Sequence, residues 1–90
     1  MLLSKKEEVI KNIEIILKRK KNFILNATVA SAFMGLIDNI IKINEYEGSF
    51  NNQNRLLTEL KAKILLQIKQ RNINTKPLMK LINQIKTTDN

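Results

Sequence analysis

Apolar residues recur at helical spacing in a first segment of the chain, at about residues 5–20. Ser4 followed by Glu7 is typical of a capping box, which satisfies free backbone N–H groups at a helix start. The pattern therefore predicts an amphipathic helix that begins after Ser4. Its inner face is formed by Val9, Ile10, Ile13, Ile16 and Leu17.

A second segment, at about residues 27–46, is the most hydrophobic part of the chain. Asn22 and Asn26 are both candidate N-caps for this predicted helix. Gly35 lies inside the segment, where glycine costs about 1 kcal/mol relative to alanine. We therefore expect a neighbouring helix to approach closely at Gly35. The predicted inner face, broadened by Met34 and Leu36, consists of Val29, Ala30, Phe33, Ile37, Ile40 and Ile41.

Residues 47–53 are predicted to form a loop, because Gly48 suits a left-handed C-cap and the asparagine run favours turns. A third helix is predicted at about residues 54–71. Leu65 and Leu66 widen its hydrophobic arc, which is typical of a helix that contacts two neighbours. The apolar stripe itself consists of Leu56, Leu57, Leu60, Ile64 and Ile68.

A fourth, shorter helix is predicted at about residues 75–86. Asn74 or Thr75 can cap its start, and Pro77 falls in the first turn, where a missing N–H does no harm. Its apolar stripe consists of Leu78, Leu81, Ile82 and Ile85.

The four predicted helices each carry one apolar stripe, so each must bury that stripe against partners. The connections between them are short, which favours antiparallel neighbours. Residues 1–90 are therefore predicted to form a single all-α domain, an antiparallel up-down-up-down four-helix bundle.

The side-chain inventory excludes most forms of catalysis. The chain has no His, Cys or Trp, so we predict no metal site, no cofactor and no enzymatic activity. Glu45, Tyr46 and Glu47 cluster near a predicted helix end, as expected for a solvated terminus. No apolar core typical of a signal peptide follows the N-terminal lysines. The longest uncharged stretch, residues 22–37, is too short for a transmembrane helix.

Positive charge is concentrated in the second half of the chain. Residues 48–90 hold eight Lys/Arg against two Asp/Glu, a net charge of +6, whereas residues 1–47 hold eight against six, a net charge of +2. Such a charge distribution favours an acidic or phosphate-bearing partner. A small nucleic-acid-binding protein is one alternative, although arginine, the usual reader of base edges, is scarce. A basic face near an anionic membrane and an adaptor for an unknown protein are further alternatives.

The succession of segments resembles the immunity proteins of pediocin-like (class IIa) bacteriocins, the enterocin A immunity family. The resemblance covers nearly the whole chain, together with its size, basic character and lack of Cys and His. The segments that carry it are Glu8–Leu17 (EVIKNIEIIL), Ile37–Ile41 (IDNII), the asparagine-rich loop, Leu56–Ile68 (LLTELKAKILLQI) and Lys76–Ile85 (KPLMKLINQI).

The resemblance implies a four-helix protein of the cytoplasm that is located at the inner face of the cell membrane. Such proteins protect the bacteriocin producer. They engage, from the cytosolic side, the complex of the bacteriocin with its receptor, the membrane component of the mannose phosphotransferase system. The family's C-terminal half is held to recognise the cognate bacteriocin, and here that half is the basic one. The predicted partner-binding residues are Lys61, Lys69, Arg71, Lys76 and Lys80.

Overall fold

The predicted apolar stripes all lie on α-helices in the computed structural model, which describes residues 2–19 and 27–88. The helices are α1 (Leu2–Arg19), α2 (Ala27–Glu47), α3 (Asn51–Gln70) and α4 (Thr75–Thr87). The all-α prediction is confirmed for this part of the chain. Six of the eight helix boundaries lie within one residue of the prediction, and α1 and α3 each begin three residues earlier than predicted.

The helices run up, down, up and down, as contacts at one end of the molecule establish. There, Lys6 near the start of α1 donates a hydrogen bond to Asn44 near the end of α2. Gln53 near the start of α3 donates to the backbone carbonyl of Ile85 near the end of α4. Each helix also packs against two others, in the cyclic order α1, α2, α3, α4. The predicted antiparallel four-helix bundle is therefore confirmed.

The core consists of the inner faces of all four helices. Among the described residues, Phe33 is the single aromatic member of the core, and the others are aliphatic. Full burial of one such side chain contributes about 1.5–3 kcal/mol, so these stripes are the main source of stability. The buried hydrophobic residues are Ile10, Ile13, Leu17, Ala30, Phe33, Ile37, Ile40, Leu56, Leu57, Leu60, Ile64, Leu78, Leu81, Ile82 and Ile85.

The connection between α2 and α3 is much shorter than predicted. Gly48 has a φ of 72° and its N–H bonds to the Asn44 carbonyl, which confirms the left-handed C-cap. However, α3 already begins at Asn51, so most of the predicted loop is helical. Asparagine weakly disfavours helix interiors, but in this added turn Gln53 forms hydrogen bonds with Asn44 of α2 and Ile85 of α4, which stabilise it.

Two further local predictions are wrong. Because α1 begins at Leu2, Ser4 lies within the helix and cannot be the N-cap of a capping box. Gly35 is exposed, and a Cβ built on it would meet nothing within 4 Å, so no neighbouring helix approaches there. The predicted caps at Asn22 and Asn26 lie outside the described residues.

Candidate functional site

The turn between α3 and α4 is held by an interlocking set of hydrogen bonds. Arg71 adopts a left-handed conformation, with a φ of 53°, and closes α3. The Gln67 side chain accepts from the backbone N–H of Asn74 at 3.0 Å and donates to the Asn74 carbonyl at 3.1 Å. The Asn74 side chain then caps α4 by accepting from the Lys76 N–H at 3.2 Å. These bonds fix the backbone positions from which the basic side chains of the turn extend.

Four of the five predicted partner-binding residues surround this turn. Lys69 lies in the last turn of α3, Arg71 caps that helix, and Lys76 and Lys80 lie in the first half of α4. All four are exposed. Within the described part of the chain, no carboxylate lies within ion-pair distance of any of them. Their charges are therefore available to a partner.

Lys61 differs from the other four predicted residues. Its Nζ lies 2.6 Å from Oδ1 of Asp38 on α2, and its side chain is only 29% exposed. This ion pair ties α3 to α2 and neutralises the lysine locally. The structure thus gives Lys61 a role within the fold, unlike the four unpaired cations.

No negative charge interrupts the basic region between Glu59 and Asp89. Residues 60–88 contain no Asp or Glu and seven Lys/Arg. Two of the seven are paired: Lys61 with Asp38, and Lys86 with Glu14 of α1 at 3.2 Å. We call the other five the basic surface: Lys63, Lys69, Arg71, Lys76 and Lys80.

Leu65 and Leu66 lie on the same outer side of α3 as part of this basic surface. The prediction that α3 contacts two neighbours is confirmed, but Leu65 and Leu66 are each 54% exposed and lie outside the core. The reason is geometric: the inner stripe of α3 already fills the space between α2 and α4. Leu66 borders a shallow groove shared with Lys63 and with Pro77 of α4. Apolar and cationic groups thus alternate on an outward-facing surface.

A buried polar layer closes the opposite end of the bundle. Lys6, Asn44 and Gln53 are 2%, 0% and 4% exposed. Asn44 accepts from Lys6 Nζ at 2.9 Å and donates to Gln53 Oε1 and Asn54 Oδ1, both at 2.8 Å. The Lys6 Nζ also lies 3.4 Å from the centre of the Phe50 ring, a cation–π contact. Within the described residues, no buried side-chain polar atom lacks a partner.

The charge of Lys6 is affected by this burial. Desolvation lowers the pKa of Lys6 below its usual value, and the negative charges of Glu47 and Glu7 only partly oppose the shift. A lysine with a lowered pKa can act as a nucleophile or base when it faces a substrate cleft. Here the ammonium is occupied by Asn44 and Phe50, so its arrangement is that of a structural group.

Sequence reasoning missed this layer, although a signal was present. Each of its members continues the apolar stripe of its own helix by one turn. Lys6 is four residues before buried Ile10, Asn44 is four residues after buried Ile40, and Gln53 is four residues before buried Leu57. Polar residues at the same level of three stripes predict a shared polar layer, once the antiparallel order is known.

The groove beside this layer has a volume of about 280 Å³ and lies between α1 and α4. Its charged residues include Glu14, whose carboxylate is paired with Lys86 and, at 3.8 Å, with Lys18. Nowhere in the described residues do three potential metal ligands among His, Cys, Asp and Glu come together. Among the described helices, none combines the length and apolar character needed to cross a membrane.

Comparison with known proteins adds no family. No family model matches the chain, and the searches of curated proteins and of solved structures find no significant match.

Proposed function

We propose that this protein is a bacteriocin immunity protein of the pediocin-like (class IIa) type. It would act in the cytoplasm at the inner face of the membrane. There it would engage the complex of a bacteriocin with the membrane component of the mannose phosphotransferase system. The proposal is supported by the antiparallel bundle of four helices, which is the architecture that the resemblance implies.

The observation that carries the proposal is the cluster of exposed, unpaired cations around the α3–α4 turn. Lys69, Arg71 and Lys76 lie on helix ends whose backbone positions are fixed by the turn's hydrogen bonds. Because the backbone of the turn is already fixed, binding has to order only these side chains and not the turn itself. The turn therefore offers a preorganised cationic surface in the half of the chain that the resemblance assigns to recognition.

The mechanism that follows is binding without chemistry. The basic surface attracts an acidic or membrane-proximal partner through long-range electrostatics and orients the bundle on approach. The bound bundle would then hold the receptor–bacteriocin complex in a state that does not leak. Rim charges of this kind chiefly affect association rate and salt dependence.

The primary test is a protection assay in a strain sensitive to pediocin-like bacteriocins. Cells that express the protein are challenged with a panel of these peptides, and selective survival against one or two of them is expected. Uniform killing across the panel, with the folded protein present in the cells, would count against the immunity proposal.

Charge reversal then tests the proposed surface. The triple variant Lys69→Glu/Arg71→Glu/Lys76→Glu should abolish protection while retaining a cooperative thermal transition. The matched control reverses Lys11, Lys42 and Arg55, which are also exposed but lie away from the α3–α4 turn. It changes the net charge equally and should still protect.

Full protection by the triple variant at the turn would remove this surface from the mechanism. Loss of protection by both variants would show that net charge alone is responsible, and the α3–α4 turn would have no special role.

Nucleic acid binding is the alternative that the net charge of +8 favours. It predicts an affinity for duplex DNA that falls steeply with salt, with a log–log slope of several units. Fluorescence anisotropy with a labelled duplex at several salt concentrations distinguishes the two functions. The immunity proposal expects only weak, non-specific binding that disappears near physiological salt.

A further inference from the structure

The outer side of the C-terminal half of α3 combines apolar and cationic side chains without any acid. Ala62, Leu65, Leu66 and Lys69 are exposed and follow one another at spacings of three and four residues, so they share one side of the helix. Lys63 borders this strip at the groove toward α4. We call these five residues the α3 strip.

We infer that the α3 strip docks on the surface of an anionic phospholipid bilayer. The two leucines would enter the boundary between headgroups and acyl chains, and Lys63 and Lys69 would lie at the level of the phosphates. Helices that lie in this interface combine an apolar side with flanking lysines, as the strip does. The inference requires neither bacteriocin nor receptor, so it stands or fails independently of the proposed function.

Charge complementarity selects this occupant over a second copy of the chain. Two copies that met through the strip would bring Lys63 and Lys69 of one against those of the other, with no carboxylate of the strip to offset them. An anionic bilayer instead supplies negative charge beside an apolar layer. Each Lys or Arg near such a surface raises the binding constant about five-fold.

The strip also fits a bilayer better than a nucleic acid. Sequence-tolerant binding of single strands relies on aromatic side chains that stack on bases. None of the five residues of the strip is aromatic, and two of them are exposed leucines. Leucines do not pair with phosphates, but they gain from contact with acyl chains.

The bundle would dock as an intact body. The opposite side of α3 carries Leu57, Leu60 and Ile64, which are at most 1% exposed and belong to the core. Detaching α3 would expose that stripe, so only the outer side chains are available to the lipid. The first turn of α4 borders the strip through Pro77, which lines the same groove as Lys63 and Leu66.

A tryptophan reporter tests the orientation directly, because the chain contains no tryptophan. Leu66→Trp places the reporter in the strip, and Ile15→Trp places one on α1, where Ile15 is 38% exposed. Each variant is mixed with vesicles of phosphatidylcholine alone or of equimolar phosphatidylcholine and phosphatidylglycerol. A blue shift of the Leu66→Trp emission with phosphatidylglycerol only, and none for Ile15→Trp, is expected.

Vesicle co-sedimentation measures the contributions of the strip. Leu65→Gln/Leu66→Gln should weaken binding to the anionic vesicles about 10-fold, since both apolar contacts are lost. Lys63→Gln/Lys69→Gln should weaken it about 25-fold. The matched control Lys11→Gln/Lys42→Gln removes two exposed charges elsewhere and should weaken it less than about 3-fold. Circular dichroism checks that each variant stays folded.

Four results would overturn the inference. The first is no sedimentation of the unmodified protein with the anionic vesicles. The second is an equal blue shift, or none, for both tryptophan reporters. The third is an equal loss for the Lys63/Lys69 and Lys11/Lys42 variants, which would reduce the effect to net charge. Association of the protein with itself through the strip, seen as a dimer that Leu65→Gln/Leu66→Gln dissociates, would also contradict it.

Discussion

Replacing Asn44 by alanine removes the central member of the buried polar layer. Asn44 is fully buried, and its side chain makes three hydrogen bonds, one from Lys6 and two toward Gln53 and Asn54. The substitution therefore removes the oxygen that accepts from a buried ammonium group, and it also leaves two amide oxygens without their donor.

The expected cost follows from these three bonds. Two neutral hydrogen bonds contribute about 0.5–1.5 kcal/mol each, and the bond to the charged Lys6 contributes about 1.5–3 kcal/mol. Stranding a buried charge costs about 3–5 kcal/mol in proteins generally. Here the ammonium keeps its contact with the Phe50 ring, which partly compensates for the lost acceptor. We therefore expect Asn44→Ala to lower the free energy of unfolding by about 4 kcal/mol.

A second substitution isolates the part of this cost that comes from the charge. Lys6→Met keeps an unbranched apolar stem and removes the ammonium, so it should cost only about 1–2 kcal/mol. In the double variant Lys6→Met/Asn44→Ala, no charge is stranded. The double variant should therefore be more stable than the sum of the single effects predicts, by about 2 kcal/mol.

The assay is urea denaturation at neutral pH, followed by far-ultraviolet circular dichroism, for the unmodified protein, both single variants and the double variant. A small helical domain is expected to unfold in one cooperative step, which makes the four free energies comparable. Additive effects, with a coupling below about 0.5 kcal/mol, would refute the reasoning. That result would mean that the hydrogen bond from Lys6 to Asn44 does not stabilise the Lys6 ammonium in the folded state.

The remaining predictions concern the two glycines and the pH dependence of stability. Gly35→Ala should stabilise the protein by about 0.5–1 kcal/mol, because the site is exposed, helical and free of contacts within 4 Å. Gly48→Ala should destabilise it by about 1 kcal/mol, because the φ of 72° is strained for alanine. Thermal melts of the two variants should shift in opposite directions, and shifts of the same sign would contradict this. Burial lowers the pKa of Lys6, so in the alkaline range between that pKa and the usual lysine pKa the unfolded chain binds more protons. The stability of the unmodified protein should therefore rise relative to Lys6→Met as the pH increases through this range, and a constant difference would be inconsistent with a buried ammonium.

The candidate partner surface could be predicted from the sequence only in part. The excess of Lys and Arg after Gly48 pointed to the α3–α4 region, and Lys69, Arg71, Lys76 and Lys80 are indeed exposed and unpaired within the described residues. Lys61 looked equivalent to them in the sequence. Its pairing with Asp38 depends on the packing of α3 against α2, which no local pattern encodes.

The buried polar layer is a second feature that could not be predicted from the sequence of any single helix. Lys6, Asn44 and Gln53 are unremarkable polar residues when each helix is considered alone. They become one hydrogen-bonded group because the antiparallel order brings the start of α1, the end of α2 and the start of α3 to the same level. The early start of α3 has the same origin, because its added turn is stabilised by the bonds of Gln53 to Asn44 and Ile85.

The number of helices, their approximate bounds and the stripe that each one buries could all be predicted from the sequence. These properties depend on spacings of three and four residues, which are local and therefore readable along the chain. The tertiary structure alone decided which polar side chains are buried, which cations are neutralised and which leucines face outward. Those outcomes depend on the neighbour that each helix face meets, and neighbours distant in the chain are chosen by the packing of the whole bundle.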